Sequence, residues 1–377
     1  MTVADTDALP VSAAKDTTLR QLVRTTLEGS RLRLRISNAF GRSPLAISGV
    51  HVARAVARNS SRIDPASDRS VTFAGSAAVT IPAGAEYLSD PVALAVPALA
   101  TLAVSIHLSE VPKLETGHPG SRATSYLVSG DELSAPELGG APTTDHWYFI
   151  SGVDVEPARP AAAIAVLGDS ITDGHGVAVN SDTRWPDYLA NRLQASPATR
   201  SLSVLNVGIG GNRMVEDGLG PNAAARFDRD VLARDGVKYL IMLEGVNDLG
   251  VLTRDAPASA EAHRALLQRM LTAYAEIIAR AHDRGIKVIA ATIMPFAGSG
   301  YYHPGASTEA DRAAINTWLR AASHADAVID FDAIMRDPAH PERLRKDLDS
   351  GDGLHPSDAG YQLMGYSVPL SLFGGHN

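Results

Sequence analysis

After residue 160 the chain repeats one pattern: a short apolar segment, a polar turn rich in glycine, then in most cases a helical stretch. The apolar segments are Ala163–Leu167, Val204–Val207, Tyr239–Leu243, Lys287–Ile293 and Val328–Phe331. Runs this short and this apolar read as strands covered on both faces. Between the third and fourth, Leu266, Leu267, Met270, Leu271, Tyr274, Ile277 and Ile278 fall on one stripe at helical spacing. Trp185–Leu193, Glu309–His324 and Asp358–Val368 read as further helices. Strands alternating with helices bury both element types only as a parallel sheet with helices on its two faces. The expectation is therefore an α/β domain of three α/β/α layers over residues 160–377.

The first 155 residues have a different period. Arg31 to Ile36 alternates strictly between charged and apolar, and Leu102, Val104, Ile106 and Leu108 alternate with smaller or polar neighbours. His51 to Arg58, Ser70 to Phe73, Ala78 to Ile81 and Pro91 to Leu94 are further short candidates, separated by clusters of Gly, Pro, Ser and Asn. Many short strands with turn punctuation indicate an antiparallel β-sandwich, of jelly-roll type, over residues 1–155. Gly130 to Thr144 reads as a loop, and Glu156-Pro157-Ala158-Arg159-Pro160 as a linker.

Composition removes several function classes. Net charge is −8, of which −7 falls after residue 150, and no Lys/Arg-rich run is present. Nucleic acid and anionic membrane surfaces are therefore not expected partners. The absence of cysteine rules out disulfides, thiolate metal sites and a Cys nucleophile. No apolar stretch reaches the roughly 18 residues of a membrane span. Met1 to Asp16 carries Asp5, Asp7 and Asp16 and no apolar core, so it does not read as a signal peptide, and the chain as given reads as cytoplasmic.

Four short motifs sit at or beyond the ends of the predicted strands. Gly168-Asp169-Ser170 follows the first, and Asn206-Val207-Gly208-Ile209-Gly210-Gly211-Asn212 the second. Gly245-Val246-Asn247-Asp248 follows the third, and Asp352-Gly353-Leu354-His355 precedes the last helix. Each alone is an ordinary turn. Together they lie where open α/β sheets place their ligands. A serine there needs a base before it can attack, and His355 is the candidate.

In this order the motifs resemble the SGNH, or GDSL-type, hydrolase family, whose Ser, Gly, Asn and His map to Ser170, Gly211, Asn247 and His355. Asn206-x-Gly208, Glu244 to Asp248, and Leu354-His355-Pro356 with Gly360-Tyr361 also fit, while Ile171 replaces the family's Leu. The resemblance covers about residues 160–370 and implies a flavodoxin-like domain that hydrolyses esters. Thr18-Leu19-Arg20-Gln21 and Arg35 to Gly41 are similar to the β-domain that precedes the hydrolase in a subset of bacterial members. Those relatives are often exported.

Acyl transfer needs a nucleophile, a base, an orienter for the base and donors for the oxyanion. Ser170 is the expected nucleophile, His355 the base, and Asp352, three residues before it, the orienter. The oxyanion hole would combine the backbone N–H groups of Ser170 and Gly211 with the carboxamide of Asn247. Asp169 and Asp248 read as structural, and His175 and His263 as bystanders. The loop Gly298 to Gly305 is long and glycine-rich and follows the fourth strand. Tyr301 and Tyr302 within it are expected to touch substrate.

Three other readings are weaker. Gly208-Ile209-Gly210-Gly211 superficially fits a dinucleotide loop, but Arg213 stands where its third glycine belongs. Asp173, His175, Asp248, Asp352 and His355 are ligand types for a metal-dependent phosphoesterase, yet the order of that family's motifs fails. A carbohydrate-binding role for the sandwich lacks an exposed aromatic row. The reading is a serine esterase acting on a small-molecule or carbohydrate ester of short acyl chain, without cofactor or metal. The natural ester, the oligomeric state and the compartment stay open.

Overall fold

The strand Ala162–Gly168 (β1) is buried at every position, as its unbroken apolar sequence requires. In the computed structural model it lies inside a five-stranded sheet with Leu202–Gly208 (β2), Val237–Leu243 (β3), Lys287–Ala291 (β4) and Ala327–Ile329 (β5). The spatial order is β2-β1-β3-β4-β5 and every pairing is parallel. The structure describes residues 2–3, 9, 15–112 and 114–374.

The helices of this unit are Ser170–Asp173 (α1), Trp185–Ala195 (α2), Ala223–Phe227 (α3), Val246–Arg254 (α4), Ala260–His282 (α5), Ala306–Arg320 (α6), Phe331–Met335 (α7) and Asp358–Ser367 (α8). They complete the three-layer α/β/α arrangement. In α5 the Ser259 side chain caps the first turn, Arg280 and His282 lie in the last, and Leu266, Met270, Tyr274, Ile277 and Ile278 are buried. Leu267 and Leu271 sit at the margin of that stripe, only partly covered.

Several boundaries differ from the sequence expectation. Helix α6 starts three residues before Glu309 and stops at Arg320, where the Ala321 N–H turns back to the Trp318 carbonyl. The fifth strand ends at Ile329 because Asp330 caps α7, accepting from the Ala333 N–H. The fourth ends at Ala291.

The preceding sheets are antiparallel. Lys15–Arg24, Gly49–Arg54, Arg69–Val71, Thr101–Glu110, Ser125–Ser129 and Thr143–Thr144 form a six-stranded sheet. Arg31–Ser37 pairs with Glu86–Leu88 and Ile150–Glu156 in a second. Leu19, Val50, Val52, Val104 and Ile106 from the first sheet share one buried cluster with Leu32, Leu34 and Ile36 from the second. This is the sandwich core that alternation implies. Pro91 to Leu94 forms no strand; Val92 makes only an isolated bridge to Leu32.

Periodicity missed Ser125–Ser129, Ile150–Glu156 and, most notably, Lys15–Arg24, in which seven consecutive residues, Thr17 to Val23, are buried without alternation. Four of them are polar and hydrogen-bonded instead of apolar. Arg20 is fully buried and donates to Ser105 Oγ and to the carbonyls of Ser61, Glu132 and Leu133. Gln21 binds both backbone groups of Tyr148. Full pairing is what makes such burial tolerable. It is also the physical content of the Thr-Leu-Arg-Gln motif.

By backbone proximity the chain divides into two compact units, one ending at Pro160 and taking in Ala178–Asp182, the other holding Ala161–Val177 and Thr183 onward. The excursion 178–182 has no signature in the sequence. It belongs to the first unit because Asn180 bonds Thr124 through both backbone and side chain, and Asp182 pairs with Arg24 and Arg58. Among the described residues no helix is long and apolar enough to cross a membrane.

Candidate active site

Strand β1 ends at Gly168, and the chain must turn sharply to start α1. A Cβ at Gly168 would lie 2.2 Å from Thr172 Oγ1 and 2.8 Å from the Leu243 carbonyl oxygen, so only glycine fits. Asp169 caps the turn by accepting from the Ile171 N–H, which agrees with its structural reading. Ser170 is the first residue of the turn and is 8% exposed. Its N–H therefore lies outside the helical ladder.

Asn206 explains the second motif. Its Nδ2 donates to the Thr172 carbonyl and its Oδ1 accepts from the Gly208 N–H, which joins the end of β2 to the Ser170 turn. Gly211 has φ +68°, in the left-handed region. Asp248 accepts from the backbone N–H groups of Met214 and Val215, holding the loop after Gly211 onto α4.

Asp352 and His355 share one tight loop. Asp352 Oδ1 accepts from the N–H groups of Leu354 and His355, and its Oδ2 lies 2.6 Å from His355 Nδ1. Burial pushes the Asp352 carboxyl up, but the His355 side chain and these backbone donors outweigh it and hold it at about 2. An ionised carboxylate only accepts, so Nδ1 must carry the proton and Nε2 is the basic nitrogen. Nε2 lies 2.9 Å from Ser170 Oγ, across 185 residues of chain.

Asn247, in the first turn of α4, is buried. Its Nδ2 donates to the Asn212 carbonyl at 2.7 Å and its Oδ1 accepts from the Tyr302 hydroxyl at 2.6 Å. The structure thus separates the two tyrosines that the sequence expectation grouped as substrate contacts. Tyr301 is 60% exposed, beside Arg254. Tyr302 is 5% exposed, and its hydroxyl is bonded inward to Asn247. Exposure of tyrosine in a glycine-rich loop is not written in local sequence, which is why both had looked alike.

Two residues near the site were passed over. The ring of His175, counted as a bystander, stacks on His355 with centroids 4.0 Å apart. His263 does stand apart, bonded to Asp311 between α5 and α6. Arg226 had not been singled out at all. It is 1% exposed and donates to the Gly168 carbonyl, the Val207 carbonyl, Asn212 Oδ1 and Asp230. One guanidinium therefore touches the ends of β1 and β2 and the loop of the second motif. Its only advance signal is its place in the first helix after that motif.

Arg226 also faces a buried acidic group. Glu244 lies 3.7 Å from it, with Asp169 and Asp248 nearby. Burial, with Asp169 next, pushes Glu244 well up despite that partner. Burial likewise raises Asp169 to about 7 and Asp248 to about 6. The folded protein holds these protons where an unfolded chain releases them near pH ~4. Stability should therefore fall as pH rises from about 4 towards 7, because the unfolded state loses its protons first. Asp352, held at about 2, acts below that window. A denaturant midpoint that is lower at pH 8 than at pH 5 is the expected result; a midpoint that rises would mean these carboxylates are ionised in the fold throughout.

Among the described residues, His175, Asp352 and His355 form a group whose ligand-type atoms lie within 4.8 Å of one another. Asp352 and both His355 nitrogens already have hydrogen-bond partners there. Asp248, another acid in the phosphoesterase reading, is engaged by the backbone N–H groups of Met214 and Val215.

A model of the GDSL-like Lipase/Acylhydrolase family matches residues 166–363, more than half of the chain. No curated protein matches. Similar solved structures include a catalytic mutant of Axe2, an acetylxylan esterase from Geobacillus stearothermophilus, at 19% identity and TM-score 0.43, covering 58% of this chain and 97% of that one. A GDSL-like lipase from Bacteroides thetaiotaomicron VPI-5482 is 17% identical with TM-score 0.41, covering 57% and 91%. LAE5, an alpha/beta hydrolase enzyme from the metagenome of Lake Arreo, is 22% identical with TM-score 0.40, covering 56% and 95%.

Proposed function

The chain belongs to the GDSL-like lipase/acylhydrolase family and is a carboxylic ester hydrolase, and from that premise we propose that it cleaves short-chain esters through an acyl-enzyme on Ser170. The observation that carries the reading is the continuous relay Ser170 Oγ, His355 Nε2, His355 Nδ1, Asp352 Oδ2, at 2.9 and 2.6 Å. His355 takes the Ser170 proton as Oγ attacks the ester carbonyl, then returns it to the leaving alcohol. A water activated by the same nitrogen hydrolyses the acyl-enzyme. Asp352 keeps the imidazole in the tautomer whose Nε2 is basic and stabilises the imidazolium that forms.

The carbonyl oxygen gains negative charge in the tetrahedral intermediate. We assign its donors as the N–H groups of Ser170 and Gly211 and one N–H of Asn247 Nδ2. The other N–H of that amide is held by Asn212. Donors fixed before the reaction act most strongly on charge that appears only in the transition state. Asn247→Ala is therefore expected to lower kcat by about 100-fold to 1,000-fold with little change in KM. A change confined to KM would make Asn247 a ground-state contact instead.

A short acyl group is supported by the sequence, which holds no amphipathic lid near the motifs. Exposed Tyr301 is the remaining candidate for contact with the alcohol part, and acetylated carbohydrate is one substrate class that an exposed ring suits. An ester panel of graded acyl length, run in EDTA on the whole chain, tests this. Activity that peaks at acetyl to butyryl is the expected result. A preference for long acyl chains, or activity that returns only with a divalent ion, would overturn the proposal.

A further inference from the structure

A carboxamide has two edges, and rotating it by half a turn exchanges Oδ1 for Nδ2. Only one orientation gives Asn247 an N–H to offer an oxyanion. The Asn212 carbonyl oxygen can only accept, so the Asn247 atom 2.7 Å from it must be Nδ2. The opposite edge then presents Oδ1 to Tyr302, 2.6 Å away. Burial, with Asp169 next, pushes the Tyr302 phenol up, so it keeps its proton and donates. Among the described residues the second Nδ2 hydrogen has no protein partner.

The tyrosine is itself held on every side. Its ring covers Gly250, where a Cβ would come within 2.4 Å of the ring atoms. Gly250 is three residues along α4 from Asn247, on the same face of the helix. Phe296 meets the ring edge-on, with centroids 6.4 Å apart. The Tyr302 carbonyl accepts from Thr253 Oγ1 and its N–H donates to Ser299 Oγ. Little freedom is left to the hydroxyl.

We propose that Tyr302 is a positioning residue for the oxyanion hole: its hydroxyl, opposite the Asn212 carbonyl, holds the Asn247 carboxamide in the orientation that leaves an Nδ2–H for the reacting oxygen. The proposal rests on reading Asn247 as an oxyanion donor. It gives the loop Gly298 to Gly305 a second task besides bordering the substrate. The same loop meets the His355 turn, where a Cβ on Gly353 would lie 2.3 Å from the Gly298 carbonyl carbon. One segment thus braces both the oxyanion donor and the acid–base loop.

Tyr302→Phe tests this, since the ring and its packing over Gly250 are kept. The expected result is a fall in kcat of about 10-fold or more with KM within about twofold, because only transition-state binding is lost. The double variant Asn247→Ala/Tyr302→Phe should be no slower than Asn247→Ala alone, since the hydroxyl has nothing left to orient. A purely structural role would instead multiply the two losses. Full multiplication, a kcat within twofold of wild type, or a change mainly in KM would each overturn the proposal. If Asn247→Ala itself leaves kcat unchanged, the oxyanion reading fails first, and a fluorophosphonate that still labels Ser170 separates that failure from failure of the esterase.

Discussion

Ser170→Ala is expected to reduce kcat/KM for ester hydrolysis by at least about 10,000-fold while the protein unfolds at the same denaturant concentration as wild type. The loss is large because no other hydroxyl can replace this one. Ser170 Oγ is bonded to the basic nitrogen of His355, and it sits on a turn that glycine at 168 permits. The effect on stability is small because the hydroxyl is held by that one bond at the edge of the site, and removing it creates no cavity of consequence. The checks are steady-state kinetics, a denaturation curve, and fluorophosphonate labelling read as a mass increase on the Ser170 peptide. Activity within tenfold of wild type in a folded variant would remove Ser170 from its assigned role.

Arg226→Met is expected to destabilise the protein by about 3–5 kcal/mol at pH 8. The methionine fills much of the space but leaves Glu244 without the guanidinium beside it and Asp230 with Arg229 as its remaining partner. It also removes one donor each from the carbonyls of Gly168 and Val207, the first of which keeps only the Ile209 N–H. Breaking a buried pair from one side is costly because the remaining charge stays in a poor solvent. The deficit should shrink at pH 5, where Asp169, raised to about 7, and Asp248, raised to about 6, are protonated and less charge is stranded. Arg226→Lys should fall between the two, since a lysine keeps the charge but lacks the planar fork that reaches four acceptors. Denaturant unfolding at both pH values reads these differences. A deficit below about 1 kcal/mol that does not change with pH would show that the cluster is neutral without Arg226.

The pH trend, the Asn247 series and the Tyr302 series probe the same buried layer from other sides. Their common premise is that the loops carrying these residues are held from beneath by polar groups as well as by apolar packing. Such groups are stringent, since each must find a partner when water is excluded. The layer is therefore sensitive to single substitutions that leave the volume unchanged.

The parallel sheet was legible in the sequence because a strand covered on both faces must be apolar throughout, and Ala163–Leu167 is. The Asp352–His355 pair was legible because its contact is local, formed within one turn of the chain. Gly211 and Asn247 were legible as residue types, since a left-handed backbone and a neutral side-chain donor leave few alternatives. Tertiary structure alone decided the rest. Which carbonyls Arg226 reaches, which face of its loop Tyr302 turns inward, and why residues 178–182 leave one unit for the other are all settled by segments tens of residues apart. A short sequence window records the period of burial and the chemistry of a turn, but a long-range hydrogen bond can be made by any of several polar residues once the chain has closed. Lys15–Arg24 shows the same limit in the β-domain: its buried polar residues break every hydrophobic period, and only their distant partners make the strand stable.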